Sequence, residues 1–199
     1  MNTTIFKEVP MKQNKRQFYF LALAFVASLA LVACPSPTGN DTTGGGDSGG
    51  DTGPTPVIFT DFETDLGGWT GNSATAELTS EQVKNGAQAC KVITGDAGWK
   101  TAWMYSVGDK IANDVSYDYS VWVYQETGSE VQFNITIKTS NEQYKSAVYQ
   151  TAVPSGAWTE ITGTLTIAAT DGTASDIYIE SGTESVTFYF DDFKVIQTP

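Results

Sequence analysis

From residue 57 onward, apolar and polar positions alternate with a period of two. This is the pattern of strands with one face turned to a core. In "YDYSVWVYQ", Tyr117, Tyr119, Val121 and Val123 fall on one side, and Ser120, Trp122 and Tyr124 on the other. In "VQFNITIKT", Val131, Phe133, Ile135 and Ile137 oppose Gln132, Asn134, Thr136 and Lys138. "TEITGTLTIAA" and "VTFYFDDFKVI" behave in the same way. Turn-forming stretches separate these runs: "ETGSE", "PSGAW", "TDGTA" and "SGTES". About ten short strands are predicted, and no amphipathic helix beyond a turn around Ser80–Asn85. Regular spacing with threonine and valine enrichment predicts an all-β fold, a β-sandwich jelly roll of two antiparallel sheets.

The same alternation sorts single residues. In "GAQACKVIT" it puts Gln88, Cys90 and Val92 on one face, so Cys90 reads as a small buried apolar residue. If 99–105 is extended, Trp99, Thr101, Trp103 and Tyr105 share one face, and Lys100, Ala102 and Met104 the other. The second set suits a core, which turns both tryptophans outward. In "DIYIESG", Tyr178 and Glu180 share a face opposite Ile177 and Ile179.

The first 56 residues follow a different pattern. Lys12, Lys15 and Arg16 precede an apolar run from Phe18 to Ala33, and Met11 makes a better start than Met1 for such a segment. The run is short for a membrane span and fits a secretory signal peptide over 1–33. Its end, "LVAC", resembles the bacterial lipobox, in which the cysteine is acylated and becomes the mature N-terminus; here that is Cys34. Residues 35–56, "PSPTGNDTTGGGDSGGDTGPTP", hold no aromatic or aliphatic side chain. They cannot bury enough surface to offset chain entropy, so 34–56 is expected to be a lipidated cysteine with a flexible tether. The expected location is the bacterial cell envelope, lipid-anchored outside the cytoplasm.

Charge narrows the partners. The chain carries a net charge of −12, and all of it falls in 57–199, with 19 acids against 7 lysines. Nucleic acid would be repelled. There is no histidine. Hydrolases of the Ser-His-Asp or Cys-His type are excluded, and a zinc site is disfavoured.

The order of landmarks in 57–199 carries a family resemblance. "DFETDLGGWTG" opens the domain, then come "NGAQACKVI", "GWKTAW", "YDYSVWVY", "SGAWTEITGTLTI", "DIYIESG" and a closing "FYFDDFKV". The region resembles the carbohydrate-binding modules of the family 4/9/22 superfamily and looks closest to family 22 xylan-binding modules. That resemblance implies non-catalytic binding of a β-glycan, of the xylan or mixed-linkage glucan type, in an aromatic-lined groove. It also implies a structural Ca2+ held by Glu63 and Asp191 with backbone carbonyls, and separate glycoside hydrolases as possible partners. The family's binding residues fall on Trp99, Tyr144, Tyr178 and Glu180, with Trp103 as an additional candidate. The family's arginine falls near Asn72, and "W-K-T" replaces its "W-N-G". Trp69 and Trp158 sit at structural landmarks, whereas Trp122 suits either a covered strand face or a binding surface. Two other classes remain: a jelly-roll glycoside hydrolase with two groove carboxylates, and a surface adhesin or assembly subunit binding protein.

Overall fold

The computed structural model describes residues 54–182 and 185–199. The signal segment 1–33, Cys34 and the tether up to residue 53 lie outside the described residues, as does the side chain of Tyr105.

The described residues form eleven strands in two antiparallel sheets, the all-β sandwich that the alternation predicts. One sheet runs β3 (Thr75–Thr79), β4 (Ala89–Ile93), β11 (Thr187–Gln197), β6 (Ser116–Gln125), β9 (Thr159–Thr166). The short β1 (Ile58–Thr60) also pairs with β11. The other sheet runs β2 (Trp69–Gly71), β5 (Ala102–Tyr105), β10 (Ala174–Ser181), β7 (Val131–Thr139), β8 (Tyr144–Val153). The stretch 80–85 forms bends between β3 and β4 rather than a helical turn.

The inward faces are those the sequence marks. Tyr117, Tyr119, Val121 and Val123 of β6 are buried, as are Val131, Phe133, Ile135 and Ile137 of β7. Cys90 is free and fully buried, and desolvation pushes its thiol pKa well up, which keeps it an inert packing group. Trp69 joins the two sheets. Its ring meets Phe190 at 5.1 Å and Phe193 at 5.0 Å edge to face, and Phe62 meets Phe190 likewise. Each such pair contributes about 0.5–1.5 kcal/mol beyond its buried area.

β11 is the spine of its sheet. One of its edges pairs first with β4, through Thr187–Phe190, and then with β1, through Phe193–Val195. Between them the register against β6 shifts, and Asp192 takes a φ of 49°. The bulge opens a gap between β4 and β1, which the loop 84–88 fills.

Candidate functional site

The outward face of the five-stranded sheet carries the chemistry. Ile177 and Ile179 of β10 point into the core with Ala102 and Met104 of β5, so Tyr178, Glu180 and Trp103 point out. Register sets Trp103, Tyr178 and Thr136 side by side across β5, β10 and β7. Trp103 and Tyr178 stack, with ring centroids 5.8 Å apart and planes inclined by 17°. Tyr144, at the start of edge strand β8, lies on Tyr178's other side at 6.4 Å and is 60% exposed. Tyr178 itself is largely covered. Burial, helped by Asp176 and Tyr144, pushes its hydroxyl up to about 12, so it stays protonated and can donate. Glu180 accepts a hydrogen bond from the Thr136 hydroxyl. Desolvation nevertheless raises its carboxyl pKa, because the hydrogen bond offsets only part of the burial cost.

Trp99 reaches this face from a turn rather than from a strand. β5 begins only at Ala102, so the extended register from 99 does not hold. Thr101 is fully buried instead of outward, because its hydroxyl donates to the Ile179 carbonyl at 2.5 Å. Lys100 does not enter the core. It pairs with Asp96, and its Nζ lies 5.5 Å from the Trp99 ring. The turn is pinned from both sides. Asn72 donates its backbone N–H to Thr101 O at 2.7 Å and its side-chain amide to Trp99 O at 3.2 Å. Gly98 packs directly on β10, where a Cβ would stand 1.8 Å from Ser181 O. Trp99 is thereby held 55% exposed.

Asn72, Trp99, Tyr144, Tyr178 and Glu180 line one open cleft of about 370 Å³, within the usual range for small-ligand sites. Four of them are sequence candidates. Trp103 stands beside Tyr178 rather than in the cleft wall. Asn72 is the addition; its signal was its position, where the resemblance places an arginine. The cleft offers two exposed aromatic rings, a tyrosine donor and a carboxylate acceptor. Such a set suits a ligand with C–H faces and hydroxyl edges.

The metal candidates lie apart from the cleft, at the gap in β11. Glu63 accepts N–H bonds from Ala87 at 2.9 Å and Gln88 at 3.2 Å, and its carboxylate lies against Gly86, whose φ is 71°. Asp191 is fully buried and accepts from Lys84 N at 3.0 Å, Asn85 N at 3.2 Å and Asp192 N at 2.8 Å. Both acids therefore grip the same loop, 84–88. Burial raises the Asp191 pKa, and no lysine pairs with it among the described residues; Lys84 instead places Nζ 3.9 Å over Trp122. Carboxylates are calcium ligands in kind, and here backbone N–H groups already engage both Asp191 oxygens. No third acid joins the two among the described residues, so loop carbonyls would have to complete the shell. Trp122 is thus a partly covered residue on its sheet's outer face, and Trp158 packs at 5.5 Å against Tyr124.

Comparison with known proteins agrees with this architecture. Residues 57–186 match the model of a family described as a carbohydrate binding domain. Endo-1,4-beta-xylanase A of Thermotoga neapolitana is 30% identical over 154 residues, which is 73% of this chain and 14% of that protein. The enzyme of the same name from Thermoanaerobacterium saccharolyticum is 29% identical over 133 residues, 65% of this chain and 11% of that protein. The chain thus spans a small part of these relatives. Among solved structures, the CBM22-1 xylan-binding domain of Paenibacillus barcinonensis Xyn10C superimposes with a TM-score of 0.64 at 20% identity, covering 72% of this chain and 95% of that one. The C-terminal family 22 carbohydrate binding module of Clostridium thermocellum Xyn10B gives a TM-score of 0.64 at 19% identity, covering 71% and 92%. At these identities the likeness is one of fold.

Proposed function

The chain belongs to the carbohydrate-binding domain family, and on that premise we propose that its cleft binds a β-glycan chain, of the xylan or mixed-linkage glucan type, without cleaving it. The observation that carries this reading is the convergence of Asn72, Trp99, Tyr144, Tyr178 and Glu180, far apart in sequence, on one open cleft. Trp99 and Tyr144 present ring faces on which the C–H faces of sugar rings stack. Glu180 accepts hydrogen bonds from sugar hydroxyls, and Tyr178 donates one. Trp103 is a positioning residue, since its ring stacks on Tyr178 and fixes that hydroxyl's place. Glycoside hydrolysis uses a pair of carboxylates, and the cleft lining supplies one, Glu180.

The anchor and the metal complete the proposal. Cys34, at the end of "LVAC", carries the lipid, and the tether after it lets the domain reach polysaccharide beyond the membrane surface. Glu63 and Asp191 hold a structural Ca2+ that ties the 84–88 loop to β11. Separate glycoside hydrolases working on the same polymer are the fitting partners.

Affinity electrophoresis through gels containing xylan or mixed-linkage glucan tests the central reading. Wild-type protein should be retarded by at least one of them and release no reducing sugar. Trp99→Ala should migrate as it does without polysaccharide; retardation equal to wild type on every bound glycan would sink the assignment. A protein partner captured independently of competing sugar would point to the adhesin reading instead.

A further inference from the structure

Edge strand β8 departs twice from regular pairing with β7. The register shifts between the partners of Thr136 and Ile135, and again between those of Ile135 and Phe133. Tyr144 and Ser146 face out with Lys138 and Thr136. Strict alternation from there would turn Val148 out and Tyr149 in. The first bulge reverses that order. Val148 is buried opposite Ile135, and Tyr149 is turned out, 69% exposed. At the second bulge Gln150 takes a φ of 49°, and its N–H donates to the Asn134 side-chain oxygen at 2.7 Å. Asn134 is in register with Glu180. Glu180, Asn134 and Tyr149 therefore form one row across β10, β7 and β8, on the face that holds the cleft.

We propose that Tyr149 is a further sugar subsite, on which a residue of the same β-glycan chain stacks after leaving the cleft at Glu180. The proposal rests on the reading of the cleft as a glycan site. Two strand spacings put the Tyr149 backbone roughly 10 Å from that of Glu180, a span a polymer of sugar rings crosses easily. The surface between them carries Asn134, whose carbonyl oxygen is held by Gln150. A large exposed aromatic ring on an edge strand gains nothing for the core. The bulges hold it in continuity with the cleft, where a linear polymer passing over Glu180 meets it. Short oligosaccharides that fill only the cleft do not reach it.

Calorimetric titration of the full chain with xylotriose and xylohexaose, and with the equivalent mixed-linkage gluco-oligosaccharides, separates the possibilities. Tyr149→Ala should weaken hexasaccharide binding about three- to tenfold, the size of one aromatic stacking contact, and leave the trisaccharide unchanged. Tyr149→Phe should keep wild-type affinity for both, since the ring and not the hydroxyl makes the contact. If Tyr149→Ala binds the hexasaccharide like wild type while Trp99→Ala loses both ligands, the subsite is refuted and the cleft stands. If Trp99→Ala changes neither, or wild type binds no glycan, the cleft reading fails and the subsite with it. A hydroxyl-dependent loss in Tyr149→Phe would also overturn the stacking role. The ring's exposure makes both variants safe for folding, and near-UV dichroism checks that.

Discussion

At the residue scale, the site joins side chains that the sequence reveals to different degrees. Tyr178 and Glu180 came from the resemblance, and alternation placed them on one outward face, because the isoleucines flanking them must face the core. The binding role of Trp99 came only from the resemblance, since a glycine-bounded turn has no period. Its assumed strand register failed at Thr101, whose buried hydroxyl bonds a neighbouring carbonyl, an arrangement no pattern of apolar positions announces. The cleft's behaviour should follow from these groups. Trp99→Ala is expected to lower glycan affinity by about tenfold or more, and Trp103→Ala by less, since Trp103 acts through Tyr178. Glu180 gives a pH signature. Its pKa is raised by burial, so the folded state holds this proton more tightly than the unfolded state does. Its charge therefore costs stability at neutral pH, and that cost disappears as pH falls below the unfolded carboxyl's range. Glu180→Gln should melt higher than wild type at neutral pH, with the difference shrinking to nothing in acid. Binding should behave in the opposite sense. Wild-type affinity should fall as Glu180 protonates on acidification, at a higher pH than an exposed glutamate would, whereas Glu180→Gln should bind more weakly with no such step.

At the element scale, irregularities position the chemistry. Gly98 exists for close approach; Gly98→Ala would drive a Cβ into the Ser181 carbonyl, so the Trp99 turn must move. Glycan affinity should fall for that variant even though the substituted position carries no binding group, and titration calorimetry would read it. The gap between β4 and β1 along β11 sets the metal proposal. Added Ca2+ should raise the melting temperature of wild type, and Asp191→Ala should abolish the increment. Calcium needs the carboxylate, and burial raises the Asp191 pKa above its ordinary value of 3.8. The increment should therefore fade on acidification, as Asp191 takes up its proton. Equal melting with Ca2+ and with chelator at neutral pH would refute the site. The sequence marked both acids, but not the bulge that brings Asp191 against the 84–88 loop. Nor did it show the paired bulges of β8, because a one-residue slip reverses the faces and leaves composition unchanged.

At the scale of the whole molecule, the sandwich was legible because both sheets bury one face, giving long strands such as β6 and most of β7 a period of two. Strand order was not, since it depends on which strands meet across long sequence separations. The net charge of −12 gives the assembled domain a preference. Neutral glycans should bind with little dependence on salt, and a polyuronate should not retard the protein even at low ionic strength. The five tryptophans make the central claim directly observable, because each indole N–H gives its own signal in a nitrogen–proton correlation spectrum. Titration with xylohexaose, or with the mixed-linkage equivalent, should move the Trp99 signal most and Trp103 less. Trp69 in the core, Trp122 on the opposite sheet and Trp158, packed against that sheet's Tyr124, should stay in place. A saturable shift confined to Trp122 and Trp158, with Trp99 unmoved, would contradict the assignment of the cleft.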